Sequence, residues 1–278
     1  MKVRMLAAAA ALAIAQPVES QPVPVAPPAL TYADLADLAL AAPVAVHLRL
    51  RSAELLDAEL APNVLPGHRR FLVEADVVTL IRGSGGLPAR VTYLVDLPND
   101  SRGRAARPPR RAEMLVLASR VAGREGELRL AAPDAQIPYS AATADALRAI
   151  LRESAASGAP PRITGIGRAF HVEGSIPGEG ETQIFLQTAD QRPISINILR
   201  RPGQRPRWSV ALSEIVDEAA APPAPDTLLW YRLACTLPAR LPRQSLSEAG
   251  PEEARSILAD YRVVIDGLGP CARTRVRR

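Results

Sequence analysis

Val44, Val46, Leu48 and Leu50 alternate with Ala45, His47, Arg49 and Arg51, the period of two expected of a strand with one buried face. The alternation returns in "FLVEADVVTLIRG", where Phe71, Val73, Ala75, Val77 and Ile81 share a face, and in "ARVTYLVDL", where Val91, Tyr93, Val95 and Leu97 do. The glycine-rich stretch 83–88 joins these two segments, which read together as a hairpin. "EMLVLASRV" and "GELRLAA" supply two further strands. Helical spacing appears on either side of this set. In "TYADLADLALAA", Thr31 and Asp34 form a capping box, Leu35, Leu38 and Ala42 share a face, and Pro43 ends the helix. Over 141–155 the stripe is Leu147, Ile150 and Leu151, with Ser140 as the cap.

Five strands and a late helix suit a small closed barrel of OB type. "SGAPPR" at 157–162 is the best domain boundary in the chain. Beyond it "RITGIGRAFHV", "TQIFLQTA", "PISINILR" and "RWSVALSEI" read as four strands and "TLLWYRLAC" as a fifth, with Trp208, Trp230 and Tyr231 in the core and rim. "GPEEARSILADYRVVIDG" is a helix with Pro251 near its first turn, Ala254, Ile257, Leu258 and Tyr261 on one face, and Gly267 beyond its end. The expected fold class is therefore mainly β within α+β. An OB-like five-stranded barrel with helices occupies 31–156, a linker 157–162, a second small antiparallel β domain with a C-terminal helix 163–271, and a frayed basic tail 272–278.

The strand ending in "LIRG", the strand "ARVTYLVDL" and the strand "EMLVLASRV" together resemble netrin-like modules, the barrel family that includes tissue inhibitors of metalloproteinases, over residues 44–155. The resemblance implies a closed barrel. Inhibitory members use an N-terminal cysteine and several disulfides, whereas no cysteine precedes residue 235 here, so no functional residue and no inhibitor activity are carried over.

The first fifteen residues change the picture of where such a fold works. Lys2 and Arg4 precede an apolar run from Met5 to Ala15 that ends Ala13-Ile14-Ala15, the layout of a cleaved export signal. The run is far short of the roughly 20 residues that span a bilayer, and the Pro-rich stretch 16–30 that follows predicts an extended, poorly ordered arm. Cleavage is expected after Ala15, with Ser20 as the alternative. Cys235 and Cys271, the only cysteines, then read as one disulfide closing a loop of about 37 residues, worth roughly 4 kcal/mol by chain entropy. Cleavage removes Lys2, the only lysine, and Arg4, taking the formal net charge from +5 to +3. A uniform arginine bias says little about partners, so only clustering is informative.

Two clusters stand out, both in loops between strands. Arg102, Arg104, Arg107, Arg110 and Arg111 crowd "SRGRAARPPRR", and Arg200, Arg201, Arg205 and Arg207 crowd "RRPGQRPRW". Neither the aromatic content, 4%, nor the compartment favours nucleic acid, and no aromatic lies within 101–111. The plainest reading is a solvated loop, and the alternative is contact with an envelope protein or an anionic lipid or lipopolysaccharide surface. His47, His68 and His171 show no metal-ligand spacing, and "GIGRAF" lacks the third glycine of a dinucleotide fingerprint. No metal, cofactor or catalytic residue is assigned. In "HVEGSIPGEGETQIFLQT" the spacing is wrong for a nucleophile elbow, and residues 174–181 read as a hairpin loop. The chain thus reads as an exported, non-catalytic binding module of the periplasm or outside. The alternatives are a cofactor-independent hydrolase built on Ser175 and His171 in space, or an assembly factor docking through edge strands.

Overall fold

The computed structural model describes residues 30–212 and 221–275, so the export signal and all of the Pro-rich arm but Leu30 lie outside the described residues. Helix α1 (Tyr32–Ala41) begins as the sequence predicts, with Thr31 and Asp34 completing a capping box. Strands β1 (Val44–Leu55), β2 (His68–Arg82), β3 (Arg90–Pro98), β4 (Glu113–Val121) and β5 (Arg124–Leu130) follow. They pair in the order β1-β2-β3-β5-β4, and β4 returns to β1, so the sheet closes into a five-stranded barrel. All pairings are antiparallel except β3 with β5, which is parallel and rests on two residue pairs, Thr92 with Glu127 and Tyr93 with Leu128. A short strand, β6 (Gln136–Pro138), adds to β4 at Met114–Val116.

The alternation read from sequence is the barrel interior: Val46, Leu48, Leu50, Phe71, Val73, Ala75, Val91, Tyr93 and Val95 pack there with Val116 and Leu128. Two details differ. β1 is buried on both faces over its first half, because α1 and helix α2 (Ala141–Ala155) cover its outside, where Ala45, Leu115 and Leu117 belong to another core. Two register shifts in the β1–β2 pairing, between Ala45 and Val46 and between His47 and Leu48, turn Ile81 away from the barrel interior and towards that second core.

The second sheet is an antiparallel meander of β7 (Ile163–Glu173), β8 (Gly180–Thr188), β9 (Ile194–Arg200) and β10 (Arg207–Ala211). The expected fifth strand is instead helix α3 (Leu228–Ala234), capped by Thr227, whose hydroxyl accepts from the Trp230 amide. As a strand, this segment would place Arg232 on the same face as Leu228 and Trp230. As a helix it buries Leu228, Trp230, Tyr231 and Leu233 together. Helix α4 (Pro251–Leu268) lies against β7 and β8, burying Ile257, Tyr261, Val264 and Leu268, while Leu258 is exposed. Gly267 lies in its last turn rather than beyond it. A Cβ there would fall 2.7 Å from Trp208 Nε1, so glycine is what lets β10 approach the helix.

One apolar cluster joins α1, α2, the outer side of β1 and β4, the second sheet, α3 and α4. Helices α1 and α2 precede 157–162 yet share this core with the sheet that follows, and Pro160 and Pro161 within that segment are buried. The molecule is thus mainly β within α+β: a closed barrel, a second antiparallel sheet and, among the described residues, four α-helices ending in α4. Among the described residues no helix is long and apolar enough to cross a membrane.

Candidate functional site

The first arginine cluster occupies the loop between β3 and β4, and all five guanidinium-bearing residues are exposed. Asp100 organises the loop, accepting from the Arg102 and Arg104 amides at 2.9 and 2.8 Å and pairing with the Arg104 guanidinium at 3.1 Å. These hydrogen bonds, the Arg104 amide first, hold its carboxyl below the ordinary range. The Arg111 amide donates to Leu50 O, which pins the loop to the end of the barrel. In the second cluster Arg201, Arg205 and Arg207 are exposed, but Arg200 turns inward. Its Nη2 lies 2.5 Å from Oδ1 of Asp260, a fully buried residue on α4. Arg200 is therefore spent inside the fold. The two loops belong to different sheets, and no hydrogen bond or ion pair joins them among the described residues.

Asp260 also receives the Thr182 hydroxyl at 2.5 Å, and Thr182 Oγ1 lies 2.7 Å from His171 Nδ1. With the Thr182 proton given to Asp260, Nδ1 must be the donor to Thr182. The His171 amide is held by Glu253 at 3.1 Å. Ser175 sits in the exposed loop between β7 and β8 and makes no hydrogen bond to His171, so the structure does not bring this pair together as a nucleophile and its base. His47 stacks on Tyr139 and bonds to Glu113, and among the described residues no three His, Cys, Asp or Glu are placed to hold a metal ion.

The C-terminal segment is not frayed as far as Arg275. Arg273 clasps Asp37 through two bonds of 2.6 and 3.0 Å, the amides of Thr274 and Arg275 and the Thr274 hydroxyl all bond to Asp34, and Arg275 clasps Asp134. Burial alone would raise the Asp34 carboxyl, but the bonds from Thr274 and the Arg275 amide outweigh it and hold it below the ordinary value. The Arg275 guanidinium holds the Asp134 carboxyl down against the opposing effect of burial. Cys235 and Cys271 lie at disulfide distance with Cα atoms 4.8 Å apart, which anchors this strap at its start. Cys235 is the C-cap of α3 rather than the end of a strand. The signal for the strap was present in α1: two carboxylates, Asp34 and Asp37, on a helix otherwise made of apolar residues and Tyr32.

A wide concavity lies where the barrel is least closed. Beyond Tyr93 and Leu128 the parallel strands β3 and β5 part, leaving a groove of about 1110 Å³. Val95 and Leu97 on β3 direct their backbone groups to β2, whereas Leu94 and Asp96 present N–H and C=O to the groove edge, where no strand pairs with them among the described residues. Leu72 and Leu94, cross-strand partners on the outer face, line the groove and remain 37% and 46% exposed. Of the three lining arginines, Arg70 clasps Asp96 through two bonds and Arg124 pairs with Glu127, while Arg129 is exposed and in no ion pair among the described residues. Tyr93 closes the inner end, donating its hydroxyl to Gln136 at 2.6 Å, and burial pushes its phenol well above the usual value. Ala131, Ala132 and Pro133 form the far rim. Nothing in the sequence marked this groove, because it comes from the divergence of two strands rather than from a residue pattern.

No protein-family model matches the chain, and none of the curated proteins matches it in sequence.

Proposed function

We propose that this chain is an exported interaction module of the cell envelope, and that its barrel groove receives an extended segment of another envelope protein. The observation that carries the reading is the unpaired edge of β3 beside Leu72 and Leu94. A strand edge offers N–H and C=O groups at the spacing of an extended backbone, and the two leucines offer apolar area to alternate side chains, which is the chemistry of strand addition. A lipid headgroup fits the groove less well, because Arg70 and Arg124 are matched by carboxylates and only Arg129 of the lining arginines is left to meet it. The OB-type barrel and the export-signal layout at the N-terminus are consistent with such a role. The exposed arginines of the β3–β4 loop, of which Arg102, Arg107, Arg110 and Arg111 have no ion-pair partner among the described residues, would steer an acidic partner towards this side of the barrel.

A photo-cross-linker placed at residue 94 in intact cells tests this reading. A reproducible protein adduct is expected from position 94 and none from a control position at Arg152 on α2. Lipid adducts alone, or equal labelling from both positions, would overturn it.

A further inference from the structure

A second concavity, of about 520 Å³, lies between the end of β2 and the C-terminal half of α2, within the roughly 300–1,000 Å³ of small-molecule sites. A β-bulge builds its floor. The pairing steps from Val46 opposite Leu80 to Ala45 opposite Arg82, which leaves Ile81 without a partner on β1. Side chains on a regular strand alternate between faces and a bulge re-aims them, so Leu80, Ile81 and Arg82 all line the one pocket. Leu151, from the last turns of α2, completes the apolar surface.

Three arginines, Arg82, Arg148 and Arg152, share this lining, and no carboxylate is among the described residues that form it. Arg148 and Arg152 stand one turn apart on α2, a like-charge placement that weakens a helix and that a bound anion would relieve. The negative end of the α2 dipole accounts for Arg152 in the last turn, but not for Arg148 and Arg82 beside it. Acids close in sequence do not neutralise the set. Asp145 meets Arg148 at 2.8 Å, yet the two side chains are 75% and 40% exposed, so solvent screens the pair. Glu153 accepts the Leu228 amide through both carboxylate oxygens. Arg82 spends one N–H on Ala39 O at 3.1 Å and keeps the rest of its donors. Neither Arg82 nor Arg152 has an ion-pair partner among the described residues. The guanidinium fork matches a carboxylate or a phosphate, and the apolar floor beside it matches an alkyl chain. We infer that this pocket binds an amphiphile with one acidic head and one alkyl chain, the head between Arg82 and Arg152 and the chain on Leu80, Ile81 and Leu151. A small amphiphile leaves no protein adduct at residue 152, so this inference and the proposed function of the groove stand or fall separately.

Isothermal titration calorimetry of the full chain tests it, with decanoate and decyl phosphate kept below the concentrations at which they form micelles. Saturable binding at a single site is expected with at least one of them, the tighter identifying the head as carboxylate or phosphate, and decanol and inorganic phosphate should bind at least tenfold more weakly. Arg152→Glu, at an exposed position, and Ala155→Trp, which fills the pocket without changing its charge, should each weaken binding at least tenfold while keeping the parent's cooperative thermal unfolding. Undiminished binding in either variant, binding of decanol or inorganic phosphate as tight as that of the amphiphile, or no saturable binding of either amphiphile overturns the inference.

Discussion

Asp34 and Asp37 place two carboxylates in a helix whose other residues are almost all apolar, and the strap answers both. Asp34→Ala would leave the Thr274 hydroxyl and two amides without their acceptor, and the expected loss is about 3 kcal/mol in urea unfolding. The pH dependence has a definite sign. Asp34 and Asp134 have folded pKa values below the unfolded value of about 3.9, so their stabilisation is fully present above it and is lost as pH falls through the lower folded values. Asp134 is half exposed, so solvent screening discounts its share and Asp34 dominates. Stability of Asp34→Asn should therefore fall less steeply than that of the parent as pH drops below about 4, and equal slopes would show that Asp34 is not the group responsible. Arg200→Ala is expected to cost about 3 kcal/mol or more by stranding the buried Asp260, whereas Arg201→Ala should stay within about 0.5 kcal/mol. Sequence showed the cluster but could not tell these arginines apart, because the carboxylate that claims Arg200 lies sixty residues further on.

At the scale of elements, alternation placed the barrel strands well, since a strand with a dry inner face must write its period into the chain. Strands β2 and β3 pair in the expected hairpin, with Val73 opposite Tyr93. Helix α3 was misread because a seven-residue helix with buried residues on most sides carries neither period clearly, and its real marker was Thr227 after the prolines of "APPAPD". The strap and α1 form a unit fixed by the Cys235–Cys271 pair, whose removal from small exported domains costs about 2–5 kcal/mol. Cys271→Ser with Cys235→Ser should speed amide exchange in α1 more than in β2 of the barrel. Uniform acceleration across both would mean that the strap does not depend on the disulfide.

At the scale of the molecule, α1 and α2 belong by sequence to the barrel and by packing to the core of the second sheet. The sequence placed a boundary at 157–162 on composition, and composition says nothing about which helix faces cross it. Leu147, fully buried in this shared core, should cost about 2–5 kcal/mol as Leu147→Ala. Calorimetry should show one transition for parent and variant, whereas two separated transitions would show that the barrel and the second sheet melt independently. The groove, by contrast, was invisible in sequence, for it exists only because β3 and β5 meet over two residue pairs and then part.

Partner, groove occupancy and the start of the Pro-rich arm at Gln16 all depend on the chain leaving the cytosol with its first fifteen residues removed. The most direct measurement is the intact mass, with thiol labelling, of the native chain recovered from fractionated cells. The account predicts a chain beginning at Gln16, found outside the cytosol, with Cys235 and Cys271 bonded. A cytosolic chain that keeps Met1 and has both thiols free to label would contradict it.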